Sequence, residues 1–149
     1  MGRSKAAPHL EALEEELLMP KATPISIEAA FERLRFLANR TPETSDEEAE
    51  AAFAMLSEYR DGGIFIGHYA GNSEWERHVN GDEIVFVIDG ETTLILLVGG
   101  KEIPNTLGQG ELLVVPENTW HRFETSKAVK IMSVTPQPTD HSIERPDNA

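Results

Sequence analysis

The chain has 149 residues, of which 40% are hydrophobic and 26% charged, the size and balance of one domain able to bury a core. Its 13 basic against 26 acidic residues give a formal charge of -13, a surface that repels phosphate backbones and anionic lipid, so neither nucleic acid nor membrane is expected as a partner. Cysteine is absent, which excludes disulfides and thiolates and leaves nitrogen and oxygen donors for any metal. No signal-peptide pattern and no apolar run of membrane length occurs in it, so the cytoplasm is the expected location.

Residues 1–8 are small and polar. From His9 to Met19, Leu10, Leu13, Leu17 and Leu18 recur at helical spacing, and Pro20 closes the pattern. A second helix is expected over Ile27 to Asn39, capped by Ser26, with Ala30, Phe31, Leu34 and Leu37 as its apolar stripe. Arg40 to Thr44 reads as a loop around Pro42. A third helix has the strongest start signal: Ser45 and Glu48 form a capping box, and Asp46 and Glu47 put negative charge at the positive end of the helix dipole. Ala49, Ala52, Phe53, Leu56 and Tyr59 would form its buried face, and Gly62-Gly63 ends it. Residues 1–62 are thus expected as a helical extension packed on a separate β region.

Beyond Gly63 the period falls to two. Strands are expected at 64–70, 74–79, 83–89, 92–98, 102–107, 111–116, 119–124 and 128–135, with turns at Gly90-Glu91, Gly99-Gly100, Gly108-Gln109-Gly110 and Glu117-Asn118. Short strands without intervening helices point to a mainly β closed barrel or jelly roll over residues 63–135. Strand 83–89 is apolar on both faces, Val85 and Val87 on one and Ile84, Phe86 and Ile88 on the other. Its outer side therefore needs a cover, from the helices or from a second subunit, and a homodimer is the favoured assembly. Residues 136–149, with Pro136, Pro138 and Pro146, are expected as an extended tail.

The chemistry concentrates in Trp75 to Gly90 and its echo in Gly110 to His121. Glu76 and His78 are two apart on one strand and share a face. Asn80-Gly81-Asp82 then reverses the chain into a strand that opens with Glu83, and His121 is available from a third. His78, Glu83 and His121 can form a two-His, one-carboxylate face suited to Fe(II), with Mn(II), Zn(II) and Ni(II) also accommodated. Glu76 has three open roles: a fourth ligand, a general base beside the metal, or a partner for Arg77 or Arg122. Alternation lines the interior with Val85, Val87, Leu94, Leu96, Val114, Phe123 and Ile131, plus Thr119 and Ser133, and turns Trp75 and Trp120 outward. So apolar a lining suits a small organic ligand better than a strongly anionic one.

These residues resemble the cupin family. Its first motif has His-x-His, then three or four residues, Glu, six residues and Gly; His78, Glu83 and Gly90 match with four and six residues between, and Glu76 stands in place of the leading His. Gly110, Pro116 and His121 match the second motif, where Asn118 replaces its Gly and Thr125 its final Asn. The resemblance spans about residues 63–135 and implies a double-stranded β-helix with a metal held by Glu76, His78, Glu83 and His121. It also implies a choice: a metal-dependent enzyme of oxygenase or isomerase type with Glu76 as a catalytic group, or a non-catalytic sensor whose metal or ligand acts on the helical N-terminus. Metal-free sugar epimerases of cupin type are the precedent for His78 or His121 as a bare acid–base catalyst.

Overall fold

The computed structural model describes residues 22–147. The helix expected over His9 to Met19 lies outside them. Strands carry most of the fold: β1 (Leu37–Arg40), β2 (Phe53–Tyr59), β3 (Gly62–Asn72), β4 (Trp75–His78), β5 (Glu83–Val98), β6 (Lys101–Gly108), β7 (Leu112–Val115), β8 (His121–Pro136) and β9 (Thr139–Ser142). They are linked into a single nine-stranded sheet.

Two long strands organise it. β8 lies between β3 on one edge and β5 on the other. Both long strands bend, so that each serves two walls of the barrel. One wall combines β2, β3 and β7 with the C-terminal half of β8 and the N-terminal half of β5. The other combines β9, β4 and β6 with the remaining halves. The expected turn at Gly90 is instead the bend of β5. Gly90 has φ +82°, and a Cβ there would lie 2.2 Å from the Ala128 carbonyl oxygen, so no side chain fits. Tyr69, Val85, Val87, Leu94, Leu107, Val115, Phe123, Val129 and Ile131 fill the space between the walls.

The second and third expected helices form only in part. Ser26 caps only α1 (Ile27–Glu32), its side chain accepting from the Ala29 amide at 3.1 Å. The Ser45–Glu48 capping box is present, yet α2 (Asp46–Ala49) gives way to one 3₁₀ turn (Glu50–Ala52). Phe53–Tyr59 then pairs antiparallel with β3, and Leu37–Arg40 pairs parallel with it. Ladder bonds to an available edge outweigh helix periodicity over so short a span.

Val114 was also expected inside. The register sets Glu83 against Val115 and Ile84 against Val114, so Val115 and Leu113 face the core and Val114 is 47% exposed. Trp75 and Trp120 do turn outward, but they pack with Ile95 and Leu97 on the barrel's flank rather than under helices. His68 lies on the outer face, its ring 4.8 Å from that of Phe36. The segment after Pro136 is extended as expected and adds β9 to β4. Among the described residues no helix is long and apolar enough to cross a membrane.

Candidate metal centre

Both walls contribute to one end of the barrel. On β4, Glu76 and His78 share a face, and Glu76 pairs directly with His121 at the start of β8, so all three side chains project inward together. Donor atoms of these three lie within 4.8 Å of one another. Glu83 enters from the opposite wall, at the start of β5. Its two oxygens stand 3.2 Å from His78 Nε2 and 3.1 Å from His121 Nε2. All four residues singled out from the sequence therefore meet.

The burial of this group is severe. His121 is fully buried, and His78 and Glu83 are 3% and 5% exposed. Each of these side chains is held by a further bond. His121 Nδ1 lies 2.9 Å from the Thr119 carbonyl oxygen, which can only accept, so Nδ1 carries the hydrogen and Nε2 is left as a lone pair in the neutral ring. Thr139 Oγ1 is 3.0 Å from His78 Nδ1, and the Thr135 hydroxyl donates to Glu83 Oε2 at 2.6 Å. Against this, His78 Nε2, His121 Nε2 and Glu83 Oε1 have no hydrogen-bond partner. Their short separations are those of an ion pair without hydrogen-bond alignment.

Converging buried lone pairs repel unless a cation sits among them. A proton on an imidazole is one solution, and a metal is the other. Donors about 2.1 Å from an ion and at right angles to each other stand about 3.0 Å apart, close to the two separations found. The donor set thus fits a divalent metal.

Charge tells the same story in the metal-free protein. Burial alone would push the Glu83 carboxyl up, but the two imidazoles outweigh it and hold it at about 2. Burial would lower His121, and the adjoining carboxylates, Glu83 foremost, raise it instead. Thr139 fixes the His78 ring from an edge strand. Its replacement by Val is expected to weaken metal binding about 10- to 100-fold with little change in fold, read by competition against a chelator.

Glu76 is paired with neither Arg77 nor Arg122. Arg77 bonds Asp140 on β9, and Arg122 bonds Glu102 and Glu124. Its partner is Arg40, with Nη2 3.7 Å from Glu76 Oε1. Sequence reasoning missed Arg40, which lay in an expected loop. It also missed Tyr69 and Phe53, whose inward direction follows only from the β2–β3–β8 register. These residues, with Phe65, Phe123, Ile131 and Ser133, bound a cavity of about 460 Å³ that reaches His78 and Glu83.

Residues 66–135 match the cupin domain family. Acireductone dioxygenases from two strains of Rhodopseudomonas palustris are each 35% identical over 60 residues, 40% of this chain and 36% of theirs, so the chain spans about a third of those curated relatives. A protein of Neisseria meningitidis superposes with a TM-score of 0.57 at 13% identity, over 77% of this chain and all of that one. Hydroquinone 1,2-dioxygenase, in complex with Cd2+ and 4-hydroxybenzonitrile, superposes with a TM-score of 0.51 at 20% identity, over 56% of this chain and 63% of its own. At these identities the two superpositions speak to the fold.

Proposed function

Residues 66–135 make this chain a member of the cupin superfamily, and from that premise we propose that it is a metal-dependent enzyme performing oxygenase-type chemistry on a small organic molecule. The observation that carries this reading is the trio of buried, unpartnered donor atoms on His78, His121 and Glu83. The likeness to acireductone dioxygenase favours oxygenase over isomerase chemistry.

His78, His121 and Glu83 would hold the ion, with Glu76 as the fourth donor. A divalent Fe, Mn, Ni or Zn bound there would supply a Lewis acid and, for Fe or Mn, a redox centre. The chain's own residues do the rest. Phe53, Phe65, Tyr69 and Phe123 enclose an apolar body and keep water from it, in a volume suited to a small ligand. Glu76 has the most exposed side chain of the four, at 18%. Its oxygen not engaged by the ion is therefore the atom assigned to take a proton from the substrate and pass it to solvent. A sensor reading drew on a helical N-terminus; with Phe53–Tyr59 in the barrel and Arg40 in the cavity, that motive is largely gone.

The test is metal analysis of protein produced with each ion in excess, followed by oxygen uptake with enediol and hydroquinone substrates. Glu76→Gln is expected to abolish turnover while the protein stays folded. A metal-replete preparation that contains no ion, and gains no thermal stability from any added ion, defeats the proposal.

A homodimer through the outer wall belongs to the same reading. Ile84, Val114 and Leu112 lie on that face 40%, 47% and 57% exposed, and none of the described residues covers them. Light scattering is expected to give twice the 16.5 kDa of one chain, and Ile84→Lys to halve the mass. A native mass of one chain would remove the dimer.

A further inference from the structure

Among the described residues that bound the cavity, Arg40 is the only Arg or Lys. Its guanidinium lies 4.6 Å from the Tyr69 ring centroid and 4.9 Å from that of Phe53, which hold its plane in place. Only 16% of the side chain is exposed. The backbone beneath it is fixed as well. Arg40 pairs with Gly71 across the β1–β3 ladder, and a Cβ on Gly71 would fall 2.1 Å from the Arg40 carbonyl oxygen. Gly71 also has φ +108°, so the close approach of β1 depends on that glycine.

A half-enclosed cation in a chain of net charge -13 needs a counter-charge of its own. Glu76 supplies only part of it. At 3.7 Å the contact exceeds hydrogen-bond length, so it leaves the planar fork of five donors largely available. Glu76 is also within 4.8 Å of the imidazole donors, and an ion there would draw on the same carboxylate. Among the described residues no other carboxylate pairs with Arg40, which leaves its donors open to a ligand.

We propose that Arg40 is a specificity-determining residue, and that the cavity takes a small monoanion with a flat apolar body whose carboxylate or enolate oxygen is held by the guanidinium. This rests on reading the cavity as the substrate site. One cation among aromatic walls sets the ligand charge at one, because a second anionic group would face Glu76 and Glu83 unpaired. The flat body follows from Phe53, Phe65, Tyr69 and Phe123. A single charge is compatible with the expectation that so apolar a lining disfavours a strongly anionic ligand.

Calorimetric titration with benzoate, its neutral isostere benzamide and the dianion phthalate tests this, on chelator-treated and on metal-loaded protein. Benzoate is expected to bind at least about tenfold more tightly than either analogue in both preparations, the discrimination of a charge-assisted hydrogen-bonded pair. Arg40→Gln should bring benzoate and benzamide level, and Arg40→Lys should keep part of the preference, with metal content unchanged in both variants. Equal binding of benzoate and benzamide by the native protein overturns the proposal, as does no benzoate binding at all. A benzoate preference that survives Arg40→Gln but vanishes on metal removal also overturns it, since the ion would then be the anion's partner. A benzoate preference dependent on Arg40 in protein that never takes up metal upholds this inference while the metal reading fails.

Discussion

Protein carrying His121→Gln is expected to purify without bound metal, its affinity for divalent ions reduced by more than about 100-fold, beyond the loss usual for a group that merely orients a ligand. His121 is the hinge of the donor set. It pairs with Glu76 across the β4–β8 ladder, meets Glu83 at 3.1 Å, and turns its ring edge toward Phe123 at 6.2 Å. Gln fills most of the ring's space and can still bond the Thr119 carbonyl, but its amide is a poor ligand. Elemental analysis of native and variant protein grown with the same metals gives the answer. A variant that keeps a full complement of metal would show that the ion, if any, sits elsewhere.

The second large effect concerns pH in chelator-treated protein. Glu83 falls from 4.5 to about 2 on folding, so its charged form favours the folded state by about 3 kcal/mol. The sign is that of a depressed value: the stabilisation is complete above pH 4.5 and is lost as pH falls through about 2. His121 is shifted the other way, so its contribution is complete below 6.5 and is lost as pH rises through the raised value. Both describe one ion pair and are not summed. The melting temperature of metal-free protein should therefore be highest between about pH 4.5 and 6.5 and decline on either side. Protein loaded with metal should not show the alkaline decline, because the ion replaces the proton among the same atoms. Glu83→Gln should flatten the acid limb of the metal-free profile. An acid limb of unchanged depth in that variant would mean that other carboxylates set it.

The donors were legible because their geometry is local and periodic. Glu76 and His78 are two apart on one strand and Glu83 opens the next, although β4 and β5 stand in opposite walls and do not pair as a tight Asn80-Gly81 reversal would have them. The barrel was legible for the same reason, through alternation broken by glycines. What failed was set by partners distant in the chain. Phe53, Leu56 and Tyr59 fit a helix stripe as well as a strand interrupted by a bulge between Met55 and Ser57, and only the free edge of β3 decides between them. Val114 and Val115 are both apolar, and the register with Glu83 selects which faces inward. Arg40 carries no local mark of its role. Its place in the cavity comes from a short parallel strand and one permissive glycine, neither of which announces the other in sequence.

The four donors do not rest on equally firm supports. Glu83 and His121 sit on the long strands that cross both walls, whereas Glu76 and His78 ride on a four-residue strand whose principal ladder is with the equally short β9. Peeling that pair away would free two donors while the barrel stayed closed. An ion there would escape through one flank, with a residence time governed by local fraying of β4 and β9 rather than by global unfolding.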